Sequence, residues 1–126
     1  METQRLRQSH KDLILWQKAL DLAVAVHEVS STFPRSEAFG LVSQVRRASV
    51  SVPSNIAEGS ARRSTREFIA FLHIARGSMA EVETQLLLAQ RVGYVSNESL
   101  TVLQARLDEV GRIMNAVING LRRRLG

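Results

Sequence analysis

Ser64-Thr65-Arg66-Glu67-Phe68-Ile69-Ala70-Phe71-Leu72 decides the fold. A serine followed three residues later by a glutamate, just ahead of an apolar run, is a capping box: each side chain can satisfy a backbone donor that a helix start leaves open. Behind it Phe68, Leu72, Ala75, Met79, Val82, Leu86 and Ala89 alternate by 4 and 3, and Gly93-Tyr94 closes the helix. Downstream, Ser96 or Asn97 can cap a further helix in which Leu100, Leu103, Leu107, Val110, Met114, Val117 and Leu121 repeat by 3 and 4. Two helices with a 3.5-residue period predict shallow left-handed crossing, the geometry of bundles.

Upstream of the box, Leu41, Val45, Ala48, Val52 and Ile56 mark a second helix beginning near Ser36 or Glu37 and ending at Gly59-Ser60. Pro53 falls inside it and predicts a kink or a local break. The first helix runs from about Asp12, its N-cap, to Ser31, with Phe33-Pro34 ending it. Leu13, Trp16, Leu20 and Ala23 form one stripe, and Leu15, Leu22, Val26 and Val29 a second. Twelve of the seventeen positions from Leu13 to Val29 are apolar or alanine, more than one bundle face requires. Part of this helix is therefore expected to be buried twice, in the bundle and against another subunit. The expected fold is all-α, an antiparallel up-down four-helix bundle over residues 12–121, with a flexible segment at 1–11 and a basic tail at 122–126.

Composition bounds the chemistry. The chain has 126 residues and no cysteine, so neither disulfides nor thiolate chemistry can contribute, and structural zinc is not expected. The polar N-terminus lacks the apolar run of a signal peptide, and Gln17, Lys18, Asp21 and His27 interrupt the longest apolar stretches, which predicts no membrane span and a cytoplasmic protein. A di-metal centre of the kind housed in bundles needs Glu-x-x-His pairs, but Arg7, Val24 and Ala70 stand three residues before His10, His27 and His73. His-x-x-x-His spacing, a glycine-rich phosphate loop and a nucleophile elbow are absent as well, so no catalytic residue, metal or cofactor is expected. His73, opposite its helix's apolar stripe, is expected to be exposed.

The formal net charge is +5, and all but Lys11 and Lys18 of the seventeen basic residues are arginine. Guanidinium forks bind phosphate or carboxylate bidentately; a genome rich in G and C would give the same bias. Arg62, Arg63 and Arg66 surround a helix N-terminus, whose open N–H groups also attract anions. No aromatic residue interleaves with them for base stacking, and Phe68 and Phe71 read as core. With Arg46 and the tail Arg122, Arg123 and Arg124, they form a candidate surface for RNA or DNA phosphates. On the second helix Arg47, Ser51, Ser54 and Glu58 fall on one line opposite the core, flanked by Gln44 and Asn55. This line is either a polar seam facing a subunit or a solvated face. Gly77 in mid-helix implies a close helix approach, and Arg76 and Glu83, two turns apart, are each expected to find a partner on another helix, the alternative being a simply exposed Arg76. Gln44, Arg47, Asn55, Glu58, Arg76 and Glu83 make up the candidate structural network.

Three segments carry a resemblance: Phe33-Pro34-x-x-Glu37-x-Phe39-Gly40-Leu41-x-x-Gln44-x-Arg46-Arg47-Ala48, Val52-Pro53-Ser54-Asn55-Ile56-Ala57-Glu58-Gly59, and Glu67-Phe68-x-x-Phe71-Leu72-x-Ile74-Ala75-x-Gly77-Ser78-x-x-Glu81. From roughly Asp12 to Leu121 the chain resembles the bacterial four helix bundle protein family, also called the intervening-sequence protein family, whose genes were first noticed in insertions within large-subunit ribosomal RNA genes. The resemblance implies an up-down bundle assembling into a homopentameric ring. It also implies kinship with the accessory protein of diversity-generating retroelements, which binds nucleic acid and a reverse transcriptase. Expected partners are thus the chain itself, structured RNA or DNA, and a reverse transcriptase or other nucleic-acid enzyme. The expected function is a non-enzymatic nucleic-acid-associated scaffold; the alternative is a protein–protein adaptor whose arginines serve subunit or partner contacts.

Overall fold

The computed structural model describes residues 10–125. Four helices, α1 (His10–Ser30), α2 (Leu41–Ser60), α3 (Thr65–Arg91) and α4 (Asn97–Leu125), are joined by short connections, and a 3₁₀ turn at Arg35–Glu37 precedes α2. Each helix packs on its sequence neighbours, and α1 also packs on α4, closing a square. Antiparallel order follows from the pairings: Arg46 reaches Ser30, Ser51 meets Ser78, Arg76 meets Asn115, and Lys18 pairs with Glu109 across α1 and α4 at 3.4 Å. The fold is the antiparallel four-helix bundle that the apolar periods imply. Residues 1–9 of the expected flexible segment, and Gly126 of the tail, lie outside the described residues; His10 and Lys11 open α1, and Arg122–Leu125 form the last turn of α4.

The helix ends follow local chemistry. Ser64 is extended and its Oγ accepts from the Glu67 amide at 3.3 Å, while Ser96 Oγ accepts from the Ser99 amide at 3.1 Å. At the end of α3 the Tyr94 amide donates to Ala89 at 2.8 Å and the Gly93 amide to Gln90 at 3.1 Å, a Schellman closure that the positive φ of Gly93 permits. Tyr94 then stacks at a tilt on Phe33 and donates its hydroxyl proton to Glu37, whose other oxygen accepts from the Leu41 amide. One carboxylate thus fastens the start of α2 to the turn after α3.

Three boundaries differ from the sequence reading. Asp12 lies buried in the first turn of α1, because the helix begins two residues earlier. The start of α2 moves from Ser36 or Glu37 to Leu41, after the 3₁₀ turn and Gly40. Pro53 does not break α2, which runs unbroken from Leu41 to Ser60 with the proline ring buried.

Every position of the apolar stripes expected on α2, α3 and α4 is buried. On α1 the stripes divide: Leu15, Ala19, Leu22 and Val26 are wholly inside the bundle. Their burial within one chain removes them as grounds for a subunit contact. The other stripe faces outward, with Leu13 and Trp16 half-buried and Leu20 37% exposed; only Ala23 of that stripe is in the core, and Val24, beside it, is 58% exposed. The glycines also exchange roles. Gly77 has no neighbour within 4 Å of where a Cβ would stand, so no close helix approach exists there. Gly59 is where two helices touch: a Cβ would lie 2.7 Å from Phe71 Cβ on α3.

A basic end and two polar grooves as the candidate functional site

An even number of antiparallel helices brings the C-terminus of α2, the N-terminus of α3 and the C-terminus of α4 to the same end of the bundle. Arg62, Arg63, Arg66, Arg122, Arg123 and Arg124 gather there, six arginines facing the exposed carboxylates Glu58 and Glu67. Arg46 does not join them. It lies at the opposite end, half-buried, its Nε donating to Ser30 Oγ at 2.9 Å and Nη2 to the His27 carbonyl at 3.2 Å. A cation on the last carbonyls of α1 complements that helix's dipole, which is a structural task.

The remaining six are not equivalent. Arg62 Nη2 lies 3.0 Å from Glu58 Oε2, its Nη1 is 4.0 Å from Glu67, and its guanidinium stacks 4.9 Å above the Phe71 ring. Phe71 is therefore half-buried beneath an arginine rather than wholly in the core, and an aromatic face does occur among the arginines, covered by one of them. Arg122 turns toward α3 and meets His73 Nε2 at 3.2 Å. Arg63, Arg66, Arg123 and Arg124 are exposed and make no hydrogen bond or ion pair among the described residues. Arg66 occupies the second position of α3, where the positive end of the helix dipole disfavours a cation, whereas Arg122–Arg124 sit favourably at the C-terminus of α4.

The six residues of the candidate structural network lie in two grooves and at the basic end. Between α2 and α3, a cleft of about 470 Å³ is lined by Gln44, Arg47, Ser51, Ser78, Glu81 and Gln85. The Oγ atoms of Ser51 and Ser78 are 2.8 Å apart across it, and Asn55 Nδ2 donates to Ser51 O and Oγ at 2.8 and 2.9 Å. Gln44 and Arg47 are exposed along its rim, and Gln85 Oε1 is buried without a hydrogen-bond partner. The link between helices is thus carried by Ser78, which the sequence reading did not single out. Glu58 pairs only with Arg62, one turn further on. Of the line opposite the core, Arg47, Ser54 and Glu58 are exposed and Ser51 is half-buried.

Between α3 and α4 a second cleft, of about 430 Å³, is lined by Arg76, Glu83, Asp108, Gly111, Arg112 and Asn115 among others. Arg76 Nη1 donates to Asn115 Oδ1 at 2.8 Å, a partner on another helix, while Glu83 is exposed and makes no such bond. Arg76 Nη2 also lies 2.8 Å from Nδ1 of His73. His73 is half-buried rather than exposed, and desolvation, then Arg76 and Arg122, hold its pKa below the ordinary value. Neither His73 nor Asn115 carries a motif; only the three-residue spacing from His73 to Arg76 hints at their meeting.

Among the described residues, no three His, Asp or Glu side chains gather where they could hold a metal ion, and no helix is long and apolar enough to cross a membrane. The family model of the 23S rRNA-intervening sequence protein matches residues 11–116. A crystal structure of a protein with unknown function from the S23 ribosomal protein family of Bacteroides thetaiotaomicron VPI-5482 superposes with a TM-score of 0.80 at 25% identity, covering 86% of this chain and 98% of that one. No curated protein matches the sequence.

Proposed function

Because the chain belongs to the 23S rRNA-intervening sequence protein family, we propose that it is a non-enzymatic, self-associating scaffold whose basic end holds the phosphate backbone of RNA or DNA. One observation carries this reading: Arg63, Arg66, Arg123 and Arg124 converge at one end of the bundle and make no ion pair among the described residues, Glu58 and Glu67 being engaged by Arg62. Guanidiniums without an internal partner are the groups that gain most from displacing counterions on a polyanion. Arg62 and Arg122 frame the surface but are engaged by the chain itself, and Arg46 has no part in it. No open aromatic face accompanies the arginines, so binding is electrostatic and weak in sequence preference.

Self-association rests on the outward face of α1, where Trp16, Leu20 and the neighbouring Val24 stand partly or largely exposed. The pentameric ring implied by the family resemblance would multiply the basic end fivefold. Light scattering checks this; a monomer mass at micromolar concentration overturns it.

Fluorescence anisotropy with unrelated RNA and DNA oligonucleotides over a salt series tests the main reading. Replacing Arg63, Arg66, Arg123 and Arg124 together with glutamine should weaken binding alike for every sequence and lower the salt slope by about three. Absence of binding at low salt overturns it and leaves the protein–protein adaptor, a reading favoured by the engagement of Arg62 with Glu58 and Glu67.

A further inference from the structure

We propose that His73, Arg76 and Arg122 form a discrete site for a tetrahedral oxyanion between α3 and α4, beside the cleft that Arg76 and Asn115 line, and that the site takes up a proton together with its anion. Arg76 Nη2 approaches Nδ1 of the imidazole at 2.8 Å, and Arg122 Nη2 approaches Nε2 at 3.2 Å. A neutral imidazole offers one lone pair and one N–H, and guanidiniums only donate. One contact can therefore be a hydrogen bond, while the other sets N–H against N–H. Protonating the ring makes both unfavourable.

Among the described residues no carboxylate pairs with the cluster: Glu83 and Asp108 line the neighbouring cleft with Arg76 but make no ion pair with it. The charged groups acting on His73 are Arg76 from its own helix and Arg122 from α4, and neither arginine has an ion pair among the described residues. The cluster nevertheless holds a defined shape: Asn115 Oδ1 accepts from Arg76 Nη1 at 2.8 Å and orients that guanidinium, which makes Asn115 a positioning residue. An oxyanion supplies the missing acceptors. It can take donors from both arginines and from a protonated His73, and guanidinium forks match sulfate or phosphate oxygens in pairs.

With the cluster empty, partial desolvation and then the two arginines hold the pKa of His73 below its ordinary value and favour the neutral ring. A bound anion offsets both cations and accepts from the imidazolium, so occupancy raises the pKa of His73. Linkage then fixes the sign: affinity grows as pH falls, by up to about tenfold per pH unit between the empty and occupied pKa values, and levels off outside that window. This cluster is distinct from Arg63, Arg66, Arg123 and Arg124 and does not require the nucleic-acid reading. The chemistry is that of sulfate, inorganic phosphate or a phosphate ester.

Proton NMR of the three histidine rings, titrated with pH in sodium sulfate and in sodium chloride at matched ionic strength, tests it. Sulfate does not titrate in the relevant range, so a pH dependence belongs to the protein. Sulfate should raise the pKa of His73, while the ring signals of His27, at the other end of the bundle, serve as the control that does not respond to sulfate. Calorimetry in buffers of different ionisation heat should show proton uptake on binding. Arg122→Gln should raise the pKa of His73 in chloride and weaken sulfate binding, and Asn115→Ala should weaken it less. Replacing Arg63, Arg66, Arg123 and Arg124 with glutamine should preserve the sulfate response, so a failure of nucleic-acid binding would not count against this site. A His73 pKa indifferent to sulfate overturns the proposal. So does a response to a short oligonucleotide with none to sulfate, because the residues would then belong to a general polyanion surface.

Discussion

A methyl group added at Gly59 would stand 2.7 Å from Phe71 Cβ and 2.9 Å from Phe68 Cδ1, distances that a packed interface cannot absorb without moving α3. Gly59→Ala should therefore destabilise the chain by about 1–3 kcal/mol despite the better helix propensity of alanine. Gly77→Ala meets open space in mid-helix and should stabilise by roughly 0.5–1 kcal/mol. Chemical denaturation of both variants checks the pair, and equal effects would sink it. Glycine is legible in a sequence only as a missing side chain. Whether the vacancy admits a neighbour depends on how two helices cross, which no local pattern records. His73 is a similar case: its helical phase points away from the apolar stripe, yet α4 brings Arg122 to it. Its lowered pKa has a consequence for stability in chloride. Below its ordinary value of 6.5 the unfolded chain binds the proton more readily than the folded one, so stability falls as pH drops through that value toward the folded pKa. His73→Gln should lessen that acid sensitivity in thermal melts, and an unchanged pH profile would contradict the assignment.

Elements were legible in proportion to how uneven their faces are. On α3 and α4 the apolar residues hold a 3.5-residue period against charged flanks, so Leu72, Leu86, Leu107 and Met114 could have only one inside. On α1 the apolar and alanine positions outnumber the rest, two stripes compete, and the choice between them is made by the neighbours α2 and α4. Truncation separates the stripes. Leu22→Ala should cost about 2–5 kcal/mol as a buried cavity, whereas Leu20→Ala, at a site 37% exposed, should leave the monomer's stability little changed and act instead on self-association. The basic residues were legible as charge but not as partners. Arg46 and Arg62 read like Arg63, and only the packed chain shows the first on the α1 C-terminus and the second between two carboxylates. The pair of Glu58 with Arg62, about half exposed, should contribute less than about 1 kcal/mol, so Glu58→Ala is expected to leave the isolated chain nearly as stable. Arg66 opposes its own helix dipole; Arg66→Glu should stabilise α3 by about 0.3–1 kcal/mol while weakening polyanion binding. Parallel melts and anisotropy show whether the two properties move in opposite directions, and loss of both together would mean that Arg66 is structural.

At the scale of the whole molecule, six arginines at one end of the bundle repel one another as well as attract phosphate. Raising salt from low to moderate concentration should screen that repulsion and lift the melting temperature, and the variant lacking Arg63, Arg66, Arg123 and Arg124 should show a flatter response. Differential scanning calorimetry over a salt series checks it; identical slopes for the two proteins would mean that the end is already neutralised. Counting helices leads further. Four antiparallel passes return the chain to the level at which it set out, so the first turn of α1 and the last turn of α4 share the arginine-bearing end, and the turn between α3 and α4 lies at the other. Any tag, fluorophore or fused protein joined directly ahead of α1 or directly behind α4 therefore arrives beside the arginines and can shield them, whatever its own properties. Circular permutation removes that interference: a linker joining the start of α1 to the end of α4, with the chain reopened between Val92 and Ser96, would move the attachment points to the far end of the bundle.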